Sequence, residues 1–286
     1  MSVETKLVIK IQRLLKRAGY PRWLHHLGPK KYQLKHHLTA LLSMQSFRLS
    51  LRRVVNLLGL LGIKVPTYSA LCKSRKRIPA SLWNSLLKIT SGVENERVAI
   101  DGTGFSTTNP SFHYVKRIDR KEPIKRYAKL SALFNIDKRK FIALKVRAKP
   151  RHDITDVRCL LRQNSSMKKL FGDKGYDAEF IHEYCFHHNI QTIIPKKKNV
   201  HRGFYRRKQR MNYSDEEYHQ RSLIESGFGS LKRKYGGYVL SKKFRSIQSE
   251  IYCKAICHNL SLETQEIFNR AATAEGELYK KKIKCT

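Results

Sequence analysis

The chain has 286 residues, of which 59 are Lys or Arg and 22 are Asp or Glu, so its formal net charge is +37. Such a charge favours binding to polyanions, of which nucleic acid is the commonest. Hydrophobic residues make up 41% of the sequence, which excludes a disordered basic tail. The six scattered cysteines, together with the lack of a long apolar segment or a leader, predict a cytosolic protein.

Residues 1–93 are predicted to be helical, because apolar residues recur at three- and four-residue spacing in "LTALLSMQSF", "SLRRVVNLLGLLG" and "YSALCKSRKR". Ser50 and Thr67 are expected to cap the second and third of these helices, with "GIKVP" as the turn between them. This arrangement favours a helix-turn-helix DNA-binding domain, although a plain helical bundle with a basic face fits the same pattern. The side chains expected to contact DNA are Arg52, Arg53, Lys73, Arg75, Lys76 and Arg77.

Residues 94–270 are predicted to form an α/β domain. Three strands come first, "RVAID", "YAKLSALFNI" and "KFIALKVRA", with a hairpin at "DKRK" between the last two. The helices "HDITDVRCLLRQ" and "DAEFIHEYCFHHN" then alternate with the strands "KKLFGD" and "QTIIP". Asp153 is expected to cap the first of these helices, since Asp is a preferred N-cap residue. The order predicts a mixed sheet flanked by helices, with three leading antiparallel strands.

A basic segment interrupts this domain at residues 196–210, "KKKNVHRGFYRRKQR", which contains eight Lys or Arg and no acid. A long loop inside a domain is usually functional or disordered. The aromatic residues Phe204 and Tyr205 favour nucleic-acid contact over a solvated loop. The expected phosphate contacts are Lys196, Lys197, Lys198, Arg206, Arg207 and Lys208, and residues 271–286 are expected to be a basic C-terminal tail.

Two aspartates are predicted at strand ends, Asp101 after "VAI" and Asp173 after "LFG". Ligands of open α/β sheets bind at strand ends, so these carboxylates are expected to converge. Further along the chain, one helix face is expected to carry Tyr218, Arg221, Glu225 and Lys232 together.

Three converging carboxylates raise one another's pKa unless a cation compensates them. Carboxylate oxygens are ligands that suit Mg²⁺ or Mn²⁺. Two such ions would stabilise the attacking and leaving oxygens of phosphoryl transfer.

Other readings of the same residue types are weaker. Cys253, Cys257 and His258, like Cys185 with its following histidines, resemble zinc ligands in type. Their helical phase, and the lack of a second paired cluster, favour buried side chains without a metal. Tyr218 as a recombinase nucleophile is disfavoured by the carboxylate on its own helix face.

The spacing Tyr218-x2-Arg221-x3-Glu225-x6-Lys232 resembles the Y-R-E-K signature of insertion-sequence transposases of the DDE type. "VAIDGTGF" and "FGDKGYDAEF" resemble the first and second acidic motifs of that family, and the predicted element order resembles its RNase H-like core over residues 95–262. The chain departs from some relatives in the short interval between Asp173 and Glu225, which leaves no room for a large β insertion. The resemblance implies that Asp101, Asp173 and Glu225 are catalytic metal ligands. It also implies that Tyr218, Arg221 and Lys232 orient the DNA end.

The resemblance further implies a transposase that cuts the ends of its element and joins the 3′-hydroxyl to target DNA, with Mg²⁺ or Mn²⁺ as cofactor. Expected partners are the terminal inverted repeats and target DNA, bound by a dimer or higher oligomer at the nucleoid of a prokaryotic cell. Neither a membrane nor a small-molecule substrate is expected. Two alternatives remain: an RNase H-like nuclease, which leaves the helical N-terminal region unexplained, and an inactive, domesticated DNA-binding protein, which leaves the three acids unexplained.

Overall fold

The N-terminal region consists of helices, as its periodicity predicts. The computed structural model describes residues 3–24, 30–108, 117, 126–149, 151–164, 166–198, 202–211 and 213–284, with the side chains of 3–7 and 265–284 outside that description. The helices of the N-terminal region are α1 Val3–Arg17, α2 Leu34–Ser46, α3 Leu51–Leu60, α4 Tyr68–Arg77 and α5 Ala80–Ser91.

The two expected helix caps are confirmed. The Ser50 hydroxyl accepts the backbone N–H of Arg53 at 3.3 Å, and the Thr67 hydroxyl accepts that of Ala70 at 3.4 Å. Each bond satisfies an N–H that the first turn of a helix leaves without a partner. Helices α3 and α4 therefore begin where the sequence predicts.

A mixed sheet follows, whose strands are β1 Arg97–Ser106, β2 Tyr127–Asn135, β3 Lys140–Arg147, β4 Lys169–Phe171 and β5 Gln191–Ile193. Their order in the sheet is β3-β2-β1-β4-β5. The first three strands pair antiparallel with one another, whereas β4 is parallel to β1 and β5 is parallel to β4. This confirms the predicted α/β class with an RNase H-like sheet.

Helices cover both faces of the sheet. The helices that follow the first three strands are α6 Ile154–Leu161, α7 Glu179–His187, α8 Phe204–Arg210, α9 Asp215–Tyr218, α10 Ser222–Tyr235 and α11 Phe244–Lys284. One face packs on α6 and α7 around Ile100 and Leu160, and the other packs on α10, α11 and the N-terminal helices around Phe105 and Phe134.

The N-terminal helices share their core with the sheet domain. A continuous cluster of buried apolar side chains extends from Ile11 in α1 to Cys257 in α11. Trp83 of α5 is fully buried in it and donates its indole N–H to the Ser249 hydroxyl of α11 at 3.1 Å. The division at residue 93 remains a prediction, and no separate core marks it in the described residues.

Three elements differ in extent from the predictions. Strand β1 continues past Asp101 to Ser106, because β2 pairs with it along that whole length. The basic segment contains a helix, α8, where a loop was expected. Helix α11 continues through Lys284, into the residues expected to form a tail, and residues 199–201 and 285–286 lie outside the described residues.

The expected cap at Asp153 is wrong. Its backbone already has helical dihedral angles, and its side chain makes no capping hydrogen bond. The carboxylate instead pairs with the buried ammonium of Lys129 at 2.6 Å. A buried lysine requires a partner, and strand β2 places this one beside α6.

Candidate active site

Asp101 and Asp173 lie at the same end of the parallel part of the sheet. Strand β4 ends at Phe171, which pairs with Ala99 of β1. Asp101 is thus two residues past the last parallel pair, and Asp173 is two residues past the end of β4. The predicted convergence of these aspartates therefore follows from the register, although Asp101 itself remains paired with Ala132 of β2.

The Asp173 carboxylate has an acceptor without a partner. Its Oδ1 atom is buried and makes no hydrogen bond within the described residues. Gly175 allows this position, since a Cβ atom there would lie 2.8 Å from the same oxygen. Burying a carboxylate oxygen without a hydrogen-bond donor costs free energy, unless a bound ligand or cation interacts with that oxygen.

Helix α10 brings the third acid to the sheet. Gly227 lets the helix pack closely, because a Cβ atom at that position would lie 2.6 Å from the ring of Phe134 in β2. Ile224, Phe228 and Leu231 are buried in the same interface. Glu225 lies on the solvent side of this contact, with 55% of its side chain exposed.

Arg221 joins two of the acids. Its Nη2 atom donates to Oε1 of Glu225 at 2.6 Å, and its Nη1 atom lies 3.5 Å from Oδ2 of Asp101. One guanidinium thus bridges a carboxylate of strand β1 and a carboxylate of helix α10. The Tyr218 ring lies 6.0 Å from the same guanidinium, so the arginine is bounded by an aromatic face as well.

Burial and the charges of Asp173 and Glu225 affect the pKa of Asp101. Burial raises the pKa of Asp101 to about 6, while the Gly102 N–H and Arg221 lower it and the charges of Asp173 and Glu225 raise it further. Both acids are therefore within electrostatic range of Asp101. Perturbation by burial and by like charges in one place is typical of functional sites.

Lys232 reaches the same strand from the end of α10. Its ammonium donates to the hydroxyl of Thr103 at 2.7 Å and lies 5.6 Å from the ring of Phe105. Burial lowers the pKa of Lys232. The sequence interpretation did not include Thr103, although its position two residues after Asp101 places both on one face of β1.

The single helical face expected for the four-residue signature is only partly present. A 3₁₀ turn over His219–Arg221 separates Tyr218 from α10. Arg221 and Lys232 nevertheless both reach β1, at Asp101 and Thr103. Both side chains are long, so they contact β1 although the 3₁₀ turn changes the helical register before α10.

Two further polar side chains, Asp153 and Tyr176, lie near the site on the opposite face of β1. The Oδ1 atom of Asp153 lies 2.8 Å from the place where a Cβ atom of Gly102 would be. The hydroxyl of Tyr176 is buried nearby without a hydrogen-bond partner in the described residues. Burial raises the pKa of Tyr176, and the charges of Asp153, Asp101 and Asp173 raise it further.

The donor chemistry of the three acids fits a divalent cation. Carboxylate oxygens are hard ligands, and Oδ1 of Asp173 has no other partner in the described part of the chain. As the side chains stand, no group of three or more His, Cys, Asp or Glu residues within the described ranges is arranged to hold a metal. The Arg221 guanidinium engages oxygens of both Asp101 and Glu225.

The cysteines and histidines considered for zinc have other surroundings. Cys185, Cys253 and Cys257 are buried among apolar side chains. His258 lies 3.1 Å from the backbone carbonyl of Arg139, and His187 lies 3.2 Å from the hydroxyl of Tyr205.

The basic residues of α3 and α4 that are expected to contact DNA are largely on the surface. Arg52 stacks over the ring of Tyr68 at 4.8 Å, which places the start of α3 beside the start of α4. The exposed members are Arg52, Arg53, Lys73 and Arg77, and the half-buried members are Arg75 and Lys76.

Arg206 does not have the position expected of a phosphate contact. It is 8% exposed, and its Nε atom donates to Oδ1 of Asp177 at 2.6 Å. Asp177 also accepts the backbone N–H of Lys197 at 2.9 Å and contacts His182 at 3.0 Å. The ion pair therefore anchors the basic segment to the core.

The rest of the basic segment is more accessible. Lys196, Lys198, Arg207 and Lys208 are exposed, whereas Lys197 is half-buried. The Lys208 ammonium lies 4.8 Å from the ring of Phe186 and 5.2 Å from that of Phe204.

None of the helices in the described residues is long and apolar enough to cross a membrane. A protein-family model described as a transposase DDE domain matches residues 94–260, which is more than half of the chain. No curated protein matches the sequence. The matched range contains the whole sheet and the six residues of the site described above, from Asp101 to Lys232.

Proposed function

Since the chain belongs to the transposase DDE domain family, we propose that it cuts DNA at the ends of its insertion element and joins the freed 3′-hydroxyl to target DNA. The observation that carries this proposal is the bridge that Arg221 forms between Asp101 and Glu225, with Asp173 near enough for its charge to raise the pKa of Asp101. Proteins of this family act on DNA and generally use divalent metals.

Asp101, Asp173 and Glu225 would hold the metal, for which we propose Mg²⁺ or Mn²⁺, most simply as two ions. When bound, such ions stabilise the negative charge of the attacking and leaving oxygens in phosphoryl transfer. The unpartnered oxygen of Asp173 supports this assignment. At pH 7 Asp101 is mainly ionised even with its raised pKa of about 6, so it is available as a ligand.

The basic side chains would hold and orient the DNA. Arg221 presents a planar, permanently charged donor that suits a phosphate group, and Lys232 adds a second positive charge over β1. Tyr218 flanks the arginine and would contribute a hydroxyl to the same DNA strand. Their common position beside the acids places the phosphate contacts next to the reacting bond.

The remaining basic residues would bind DNA away from the chemistry. The exposed arginines and lysines of α3 and α4 would recognise the terminal repeats. The exposed residues of the basic segment would contact the phosphate backbone of either the end or the target. Cutting and joining need two DNA molecules at one site, so we propose that a dimer or higher oligomer assembles on the DNA.

Glu225→Gln tests the proposal. The substitution removes a carboxylate ligand but keeps size and helix propensity, so folding and DNA-end binding should stay close to wild type. Nicking of a duplex that carries the element's end should fall by at least about 10³-fold in Mg²⁺ or Mn²⁺, because the metal that stabilises the transition state loses one of its ligands.

Glu216→Gln is the matched control, since it removes the same charge from an exposed position on the neighbouring helix α9. This variant should nick at the wild-type rate. A Glu225→Gln protein that nicks as fast as Glu216→Gln would refute the assigned mechanism and leave Glu225 as a surface ion-pair residue.

A further inference from the structure

Arg221 occupies the position of a cation between two proposed metal ligands. Its two terminal nitrogens engage Glu225 at 2.6 Å and Asp101 at 3.5 Å. The pair with Glu225 is local, because the residues are one helical turn apart. The contact with Asp101 is not local, because it joins α10 to strand β1 across 120 positions of sequence.

The arginine is held rather than free in solvent. Its side chain is 20% exposed, as is that of Asp101, and the Tyr218 ring covers part of it. A guanidinium stays protonated under all conditions in which a protein is folded. It therefore competes at every pH with any other cation for the same carboxylate oxygens.

We propose that Arg221 is a resident counter-ion that keeps divalent metal weakly bound until a DNA phosphate draws the guanidinium away from Asp101 and Glu225. This inference rests on the proposed function and assigns a control step to the same site. A DNA phosphate competes for the planar donor, since it can accept two parallel hydrogen bonds from the guanidinium, whereas Glu225 and Asp101 each engage a single nitrogen. Release of the arginine frees both carboxylates at the moment when DNA arrives.

The consequence is a coupling between DNA binding and metal binding. Two ligands that compete with or relieve the same internal contact must alter each other's affinity by one common factor. Metal would then load mainly on the DNA complex and only weakly on the protein without DNA. DNA also raises metal affinity by offering phosphate oxygens directly, so the effect of Arg221 has to be measured without DNA.

The test is Mn²⁺ binding to the full-length protein in the absence of DNA, followed by electron paramagnetic resonance of free Mn²⁺. Arg221→Gln removes the competing cation and keeps a polar side chain of helical propensity. It should bind Mn²⁺ about 5- to 100-fold more tightly than wild type, the usual range of a coupling of this kind.

Arg233→Gln is the matched control, because it removes the same charge from an exposed position on the same helix. It reports the general effect of lower net charge on Mn²⁺ affinity and should change that affinity less than about twofold, since exposed charges are screened. Equal or weaker Mn²⁺ binding by Arg221→Gln than by Arg233→Gln would overturn the inference. Circular dichroism of both variants verifies that each is folded.

A second measurement adds a duplex that carries the element's end. Mn²⁺ affinity should rise by a larger factor in wild type than in Arg221→Gln, and equal factors would contradict the coupling. The measurements distinguish a failure of the proposed metal site from a failure of the proposed role of Arg221. Unchanged nicking and Mn²⁺ binding in Glu225→Gln would refute the metal site itself, whereas loss of both there, with no gain in Arg221→Gln, would refute only the role of Arg221.

Discussion

At the scale of single residues, burial determines the pKa and the contacts of side chains that are of the same type in the sequence. For His258 the sequence favours a buried side chain without a metal over a zinc ligand. In the structure it is 2% exposed, lies edge-on to the Phe141 ring and makes a hydrogen bond with the Arg139 carbonyl. Burial lowers its pKa from 6.5 to about 4.

This shift predicts a loss of stability in acid. The unfolded chain takes up the His258 proton near pH 6.5 and the folded chain only near pH 4, so the free energy of unfolding falls as the pH drops through that window. Between pH 7 and pH 5 the wild type should lose about 2 kcal/mol relative to His258→Gln, which does not titrate. Urea unfolding of both proteins at the two pH values measures this. A stability difference that is independent of pH would contradict it.

A second residue-scale prediction concerns Thr103, whose hydroxyl accepts a hydrogen bond from the Lys232 ammonium. Thr103→Val keeps the β-branched shape and removes the acceptor, so Lys232 should lose its fixed position over β1. Nicking should fall by about tenfold, the effect of removing roughly one hydrogen bond to a charged group, with little change in end binding. Thr103→Ser, which retains a hydroxyl, should keep most of the activity. Equal rates for the Val and Ser variants would show that the contact has no role in positioning.

At the scale of elements, helix α8 shows how a tertiary contact creates local structure. The segment "FYRRKQR" is rich in helix-forming Arg, Lys and Gln, but a helix of 7 residues is too short to be stable by itself. Glu179 of α7 accepts the backbone N–H groups of Tyr205 at 2.9 Å and Arg206 at 3.3 Å, so it caps α8 from a distant part of the chain. Asp177 then binds the Arg206 side chain from the same side.

Neighbouring arginines of α8 should therefore have opposite phenotypes. Arg206→Gln leaves the buried carboxylate of Asp177 without its charged partner, which should cost about 3–5 kcal/mol of stability. Arg207→Gln changes an exposed side chain and should leave stability within about 0.5 kcal/mol of wild type. Urea unfolding of the two variants distinguishes them, and equal stabilities would mean that the ion pair does not anchor the segment.

The same element carries a prediction about DNA. Neutralising Arg207 and Lys208 together should reduce the slope of log affinity against log salt by about 0.9 for each DNA phosphate that the protein no longer neutralises. Preference for the element's end over unrelated duplex should not change, because binding to phosphate carries no base information. Binding titrations at several salt concentrations test both statements. An unchanged slope would identify the segment as a solvated surface.

At the scale of the whole molecule, the shared core predicts cooperative unfolding. Trp83 is fully buried between α5 and α11, so Trp83→Ala should cost about 3–5 kcal/mol. In a Trp23→Phe background, fluorescence of Trp83 and circular dichroism of the whole chain should follow one transition. Two separated transitions would instead support a helical domain that folds independently of the sheet.

The sequence by itself determined the order of the sheet strands and of the helices between β3 and β5, the helix caps at Ser50 and Thr67, and the family of the chain. These features are local, since they depend on periodicity, capping residues and spacing within one segment. It also selected Asp101, Asp173 and Glu225 as the acids of the site, and their catalytic roles remain a prediction.

Only the tertiary structure decided which charged side chains face the site and which are anchored in the core. It placed Arg221 between Asp101 and Glu225, Lys232 on Thr103, Asp153 on Lys129 and Arg206 on Asp177. In a chain with 59 basic residues and 22 acidic ones, the sequence offers many partners for each acid. Burial and distance select among them, because a charge removed from water must find its partner within a few ångströms.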